Sequence, residues 1–126
     1  MAISDLNTSY YWYNGSNKTT AATIQTIGSA MENTNTIINS QGTGSYAATA
    51  CANYEINGYT DWYLPTIREL EILYTNKASL SAFQPYSYWS SSENNSEAAY
   101  GVNFSDGKTY SYYKNGKGKI RAIRYF

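Results

Sequence analysis

From Pro85 onward the apolar residues recur with period two: Tyr100, Val102 and Phe104 alternate with Gly101 and Asn103. Such alternation predicts a half-buried strand, and Ser105-Asp106-Gly107-Lys108 after it is a hairpin turn signal. Tyr110 to Tyr113 is the expected return strand, Lys114 to Gly118 a second turn, and KIRAIRYF a closing strand carrying Ile120 and Ile123. Tyr88 and Trp89 open the strand before the hairpin. Upstream the spacing changes to three and four. Thr66 with Glu69 forms a capping box, and Ile67, Leu70 and Leu73 make an apolar stripe for a helix running to about Tyr74, with Arg68, Glu69 and Glu71 on a solvated face. Ser45 is placed to cap a second helix in which Ala47, Ala48, Cys51 and Tyr54 face the core.

The rest of the pattern is weaker. Between Thr20 and Ser40 only Ile24, Ile27, Ile37 and Ile38 are large and aliphatic, which predicts one or two short helices joined by a polar loop. Residues 9–14 read as an opening strand ending at Asn14-Gly15, with Trp12 in the core. Residues 55–65 read as an irregular connection whose aromatics pack inward, and Leu80 and Phe83 as core plugs in the loop before Pro85. Helices in the first two-thirds and an antiparallel meander in the last third predict an α+β fold in a single domain spanning residues 1–126.

Composition narrows the function. Nine Lys and Arg balance nine Asp and Glu, so no overall field draws the chain to nucleic acid or an anionic membrane. There is no histidine, which removes the usual imidazole base and most zinc and iron sites. Cys51 is the single cysteine, so no internal disulfide can form and a buried, inert thiol is expected. No stretch is apolar enough to span a bilayer and the first residues lack a signal-peptide pattern, so a soluble chain is expected. The triplets Asn14-Gly15-Ser16 and Asn94-Asn95-Ser96 read as products of an Asn/Ser-rich composition, not glycosylation sites.

Catalysis finds little support. Glu69 and Glu71 are two apart on a helix and point to different sides, so they cannot flank one scissile bond. Asp61 and Asp106 read as turn or cap residues, and no loop has calcium-site spacing. No cofactor or metal is expected. Binding is the better expectation. Fifteen tyrosines, three tryptophans and three phenylalanines exceed what a core of this size encloses with every hydroxyl satisfied. From Asn103 to Gly118, twelve of sixteen residues are Asn, Ser, Asp, Gly, Thr or Tyr. Tyrosine offers wide contact with few torsions to freeze, and Ser, Gly and Asn adapt their hydrogen bonding. The expected contact positions are Asn95, Gly101, Asn103, Ser105 and Asp106, then Ser111, Tyr112 and Tyr113, then Asn115, Gly116 and Gly118, within a variable-looking region 88–126. Trp89, Val102, Phe104, Ile120 and Ile123 are the frame. Lys108, Lys114, Lys117 and Lys119 give the tail a local positive excess, read as solubility or as a preference for an anionic glycan.

The segments GYTDWYLPTIRELEIL, YWSSSE, AYGVNFSDG and KIRAIR, in this order between Ala47 and Arg124, together resemble the C-terminal domain of the Legionella collagen-like adhesin and its bacterial relatives. Tyr63 departs from that family's pattern, which has Arg there, and the last segment uses Ile120, Ala122 and Ile123. The resemblance implies a C-type-lectin-like fold of the formylglycine-generating-enzyme branch, which needs neither calcium nor disulfides. That branch's enzymes hold copper through cysteine thiolates, a pair that a lone Cys51 cannot supply. The tail also resembles the variable region of proteins diversified by retroelements, where altered adenines turn an asparagine codon into Tyr, Ser, Asp, Gly or Thr. Turn preference accounts for Ser105 to Gly107 and Asn115 to Gly118 but not for Ser111, Tyr112 and Tyr113. These resemblances imply a ligand-binding or receptor-recognition domain of a larger virion or cell-surface protein. Its partner would be a protein or glycan receptor, without nucleic acid or membrane insertion, and oligomerisation through the parent protein stays open. The alternatives are an undiversified adhesin module that binds polysaccharide, or a structural domain of a virion or surface fibre.

Overall fold

The computed structural model describes residues 9–77 and 83–124. In chain order the elements are β1 (Tyr10–Tyr11), α1 (Ala30–Gln41), α2 (Ala47–Ala52), α3 (Ile67–Thr75), β2 (Ser87–Glu93), β3 (Ala98–Asn103), β4 (Thr109–Tyr113) and β5 (Lys117–Gly118). β2, β3 and β4 form an antiparallel sheet in that order, and β1 pairs antiparallel with β5. This is the α+β arrangement that the change of period predicts, and the described residues hold no disulfide.

The sheet lies between two cores because neighbouring residues of a strand point to opposite faces. On one face Trp89 and Ala99 join Trp12, Ile37, Tyr46, Cys51, Trp62, Leu64 and Ile120. On the other Tyr88 and Val102 join Phe104, Ile123 and the stripe Ile67, Leu70 and Leu73 of α3. Each fully buried Leu or Val contributes roughly 1.5–3 kcal/mol of transfer free energy. Burial pushes the Cys51 thiol well above its usual range. All three indole N–H groups donate to backbone carbonyls: Trp12 to Ser90, Trp62 to Tyr59 and Trp89 to Tyr10.

The capping box of α3 forms as expected, with Glu69 Oε1 accepting from Thr66 N at 2.9 Å and Thr66 Oγ1 from Glu69 N at 3.4 Å. Glu69, however, is not on a solvated face. It is buried, and its second oxygen accepts from Gly28 N at 3.0 Å, so it ties an upstream loop to the helix start. Arg68 and Glu71 do face solvent, as a 2.9 Å ion pair.

Other boundaries shift for local reasons. Only Tyr10 and Tyr11 of the predicted opening strand form a ladder; Trp12 turns its ring into the core while its N–H still donates to Lys114 O at 3.3 Å. Only one helix forms between Thr20 and Ser40. The extended stretch before it is held by the buried Asn33 of α1, whose carboxamide accepts from Ile24 N at 3.3 Å and donates to Ile24 O at 2.6 Å. Tyr46, not Ser45, precedes α2, and its N–H donates to Thr49 Oγ1. Tyr54 lies beyond α2 and packs edge-on against Trp62. In the 55–65 connection Trp62 is buried but Tyr59 is exposed. Phe83 stacks on Phe104, and Leu80 lies outside the described residues. The closing segment is no continuous strand. Lys119 pairs with Tyr88 and Ile123 with Tyr63, and between them Arg121 is buried over the Phe83 ring.

Candidate functional site

β4 is an edge strand, and its five residues TYSYY are mostly exposed. The register pairs Ala99 with Tyr112 and Gly101 with Tyr110, which puts both tyrosines on the Trp89 face of the sheet. Tyr110 and Tyr112 are ring neighbours at 5.7 Å, and Tyr112 meets the Trp89 indole edge-on at 6.0 Å. The Tyr112 hydroxyl bonds Ser87 Oγ at 2.9 Å. Partial burial lifts the Tyr112 pKa, so the phenol stays protonated at neutral pH. Tyr113 at the strand end is 70% exposed.

Between this strand and the turn that follows lies a cleft of about 320 Å³ lined by Trp89, Tyr112, Tyr113, Asn115, Gly116 and Lys117 among others. Gly118 belongs to its floor: a Cβ there would come within 2.9 Å of the Trp89 indole nitrogen, so the position is closed to larger residues while that ring stays in place. A second concavity carrying Lys117 and Lys119 adjoins it through Ser87 and Gly118. Lys117 and Lys119 lie over the rings of Tyr11 and Tyr86 at 5.3 and 5.6 Å.

The predicted contact positions fall into groups. Tyr112, Tyr113, Asn115, Gly116 and Gly118 come together around the cleft. Ser105 and Asp106 are exposed at the β3–β4 turn, the opposite end of β4. There Asp106 accepts from Tyr110 Oη at 2.6 Å and from Lys108 N at 2.9 Å, and these bonds lower its pKa while raising that of Tyr110. Asn103 is half-buried and accepts from Ser105 N, and Asn95 accepts from Glu97 N and Ala98 N, so both side chains are spent on their own turns. Ser111 is exposed on the far face and bonds Asn94.

Gly101 is not an outward position. It is buried, and a Cβ would stand 2.6 Å from the Tyr88 carbonyl and 3.1 Å from the Tyr112 ring. Its role is to let Tyr112 lie flat on the sheet. Lys114 does not add to the surface charge either. It is fully buried, 2.6 Å from Glu93 and 4.6 Å from the Trp12 ring centre, and also donates to Lys18 O. Asp61 is more than a turn residue: both its oxygens bond Arg124, which lowers its pKa and fastens the closing segment.

The run Ser90-Ser91-Ser92-Glu93 carries more structure than its composition suggests. All four are buried. Ser90 Oγ donates to Tyr100 O, Ser91 Oγ to Pro65 O and Ser92 Oγ to Ile24 O, while Glu93 accepts from Thr20 N. The period-two break across this bulged strand was the available signal.

Among the described residues no group of His, Cys, Asp and Glu is placed to hold a metal ion, and no helix is long and apolar enough to cross a membrane. No curated protein matches the chain. The family model described as the Lcl C-terminal domain matches residues 1–124, well beyond the stretch that carries the recognisable motifs, and the chain belongs to this family.

Proposed function

We propose that the domain is a non-enzymatic ligand-binding head of a surface-exposed, adhesin-like protein, and that β4 and the turn after it make the contacts. The observation that carries this reading is the cleft bounded by Tyr112, Tyr113 and Asn115 over a Trp89 floor, beside an edge strand whose tyrosines face solvent. Family membership supports the adhesin-like part. A partly exposed tyrosine surface on a hydrogen-bonded frame suits binding because little must be ordered when a partner docks. The non-enzymatic part is supported by the side chains that chemistry would use. Cys51 is a buried thiol with a raised pKa, and Glu69 and Glu93 are occupied by backbone N–H groups and Lys114.

The finer reading is a C-type-lectin-like fold of the formylglycine-generating-enzyme branch whose tail is diversified by a retroelement, as in phage receptor-binding or bacterial display proteins. In its favour, Ser105, Asp106, Ser111, Tyr113, Asn115 and Gly116 are exposed and can change without disturbing the core. The second reading, an undiversified module for polysaccharide, is favoured by the adhesin-like family and by the exposed Tyr113 ring beside the cleft, against which a sugar ring can pack.

Two experiments separate these. A Tyr113→Ala, Asn115→Ala double variant, measured for binding to glycan arrays and intact cells, should lose binding while keeping its thermal midpoint; undiminished binding would refute the placement. An adenine-rich imperfect repeat of the gene's 3′ end beside a reverse transcriptase is expected for diversification, and its absence sinks that part alone.

A further inference from the structure

The chain contains three Asn-Gly pairs, at Asn14, Asn57 and Asn115. They are chemically alike as sequence, since glycine offers no side chain to hinder attack of its backbone nitrogen on the preceding carboxamide. The fold makes them unlike. Asn14 has its amide nitrogen bound by Gln41 O at 3.1 Å and Thr43 O at 2.7 Å, and its backbone N–H bound by Gln41 Oε1. Gly44 packs directly against that carboxamide, so the group can neither turn nor leave freely. At Asn115 the attacking atom itself is engaged: Gly116 N donates to Tyr113 O at 3.0 Å.

Asn57 has neither restraint. Asn57 and Gly58 are both exposed at the tip of a tight turn with φ of 54° and 82°, and among the described residues neither the carboxamide nor the Gly58 N–H has a hydrogen-bond partner. Across its ends the turn is closed by the isolated Ile56–Tyr59 pair, with N···O distances of 3.4 and 3.0 Å, and Tyr59 O also accepts from the Trp62 indole. Opening it breaks no helix and no ladder, so it belongs to the low-stability end of local fluctuations.

We propose that Asn57 is a site of spontaneous deamidation, at which the folded domain acquires aspartate and isoaspartate in preference to the other two Asn-Gly pairs. The Gly58 nitrogen loses its proton to hydroxide and bonds Asn57 Cγ; the Cγ–Nδ2 bond breaks as Nδ2 takes a proton from water, so ammonia departs, hydroxide is regenerated and a five-membered succinimide is left. One water then opens the ring at either carbonyl. Opening at the backbone carbonyl gives isoaspartate and an extra methylene in the main chain. A two-residue turn with both φ positive has no room for that atom, so the Ile56–Tyr59 pairing is lost in the isoaspartyl product. The binding cleft keeps its own Asn-Gly pair intact because the bond that shapes its turn also occupies the nucleophile.

The test is to hold the intact chain in mildly alkaline buffer and follow all three pairs by peptide mapping with mass detection, with enzymatic methylation to report isoaspartate. A parallel sample is kept in concentrated denaturant. In the folded chain Asn57 is expected to convert about tenfold or more faster than Asn14 and Asn115, the protection that local structure gives the other two. In denaturant the three should converge. Asn57→Gln should abolish most of the isoaspartate signal of the folded chain. Folded-state conversion of Asn14 or Asn115 as fast as Asn57, or suppression of Asn57 relative to denatured chain to the same degree as the others, would overturn the proposal.

Discussion

β2 and β4 are built from much the same residues, serine and tyrosine with a charged residue at or just after the end, yet they do opposite things. β2 has the β3 ladder on one edge, the Lys119 pairing on the other and a core against each face, so every serine of Ser90–Ser92 is buried and bonded to a distant backbone carbonyl. Among the described residues β4 has a strand neighbour on one edge only, and its tyrosines carry exposed surface. A polar strand is therefore a scaffold or a contact surface according to its place in the sheet order. The charged residues mark the join, because Glu93 after the serines meets Lys114 after the tyrosines inside the protein.

The largest test of this contrast strikes that join. Lys114→Met leaves Glu93 buried without its counter-ion and should cost about 3–5 kcal/mol in urea titration, much of it recovered by adding Glu93→Gln. A loss comparable to that of a surface lysine would place the pair in water. Next, Gly101→Ala pushes a methyl into the Tyr88 carbonyl and the Tyr112 ring, and about 1–3 kcal/mol of destabilisation is expected, with altered tyrosine packing in near-ultraviolet circular dichroism. Asp61→Asn acts through pH. Arg124 lowers the Asp61 pKa, so the pair's contribution is complete above the ordinary aspartate range and fades as pH falls through the lowered value. The variant should be less stable at neutral pH and show a shallower loss on acidification; identical acid limbs would dismiss the pair. Smallest in stability, Tyr113→Ala should shift the unfolding free energy by less than about 0.5 kcal/mol, since the ring is mostly in solvent. Its effect should appear in ligand binding instead.

What could be read without coordinates was what is decided locally. The Thr66–Glu69 box and the stripe of α3 lie within one helix turn or two, and the hairpin announces itself through its alternation and Asp-Gly turn. What escaped depends on partners far along the chain. α1 buries Asn33 and Thr34 against the Ile24 and Leu64 backbones, so its inward face does not look apolar. Gly101 looks like one more adaptable glycine until Tyr112 is laid across it, and Lys114 looks like one more surface cation until Glu93 is brought to it over 21 residues. Within the candidate site, the grouping of Tyr112 to Gly118 around one cleft follows from a strand running straight into its turn. That the Asn95 and Asn103 side chains accept from backbone N–H groups of their own loops depends on a loop geometry that residue type alone does not announce.

The pairing of β1 with β5 has a bearing on synthesis. Trp12 and Tyr10 are among the first described residues to leave a ribosome, but their partners Ser90 and Gly118 arrive 78 or more residues later. Until those partners emerge the Trp12 indole N–H lacks its acceptor and β1 its ladder, and contacts this distant close slowly. The β1–β5 ladder and the buried Lys114–Glu93 pair therefore close only after residues 93 to 118 have been made.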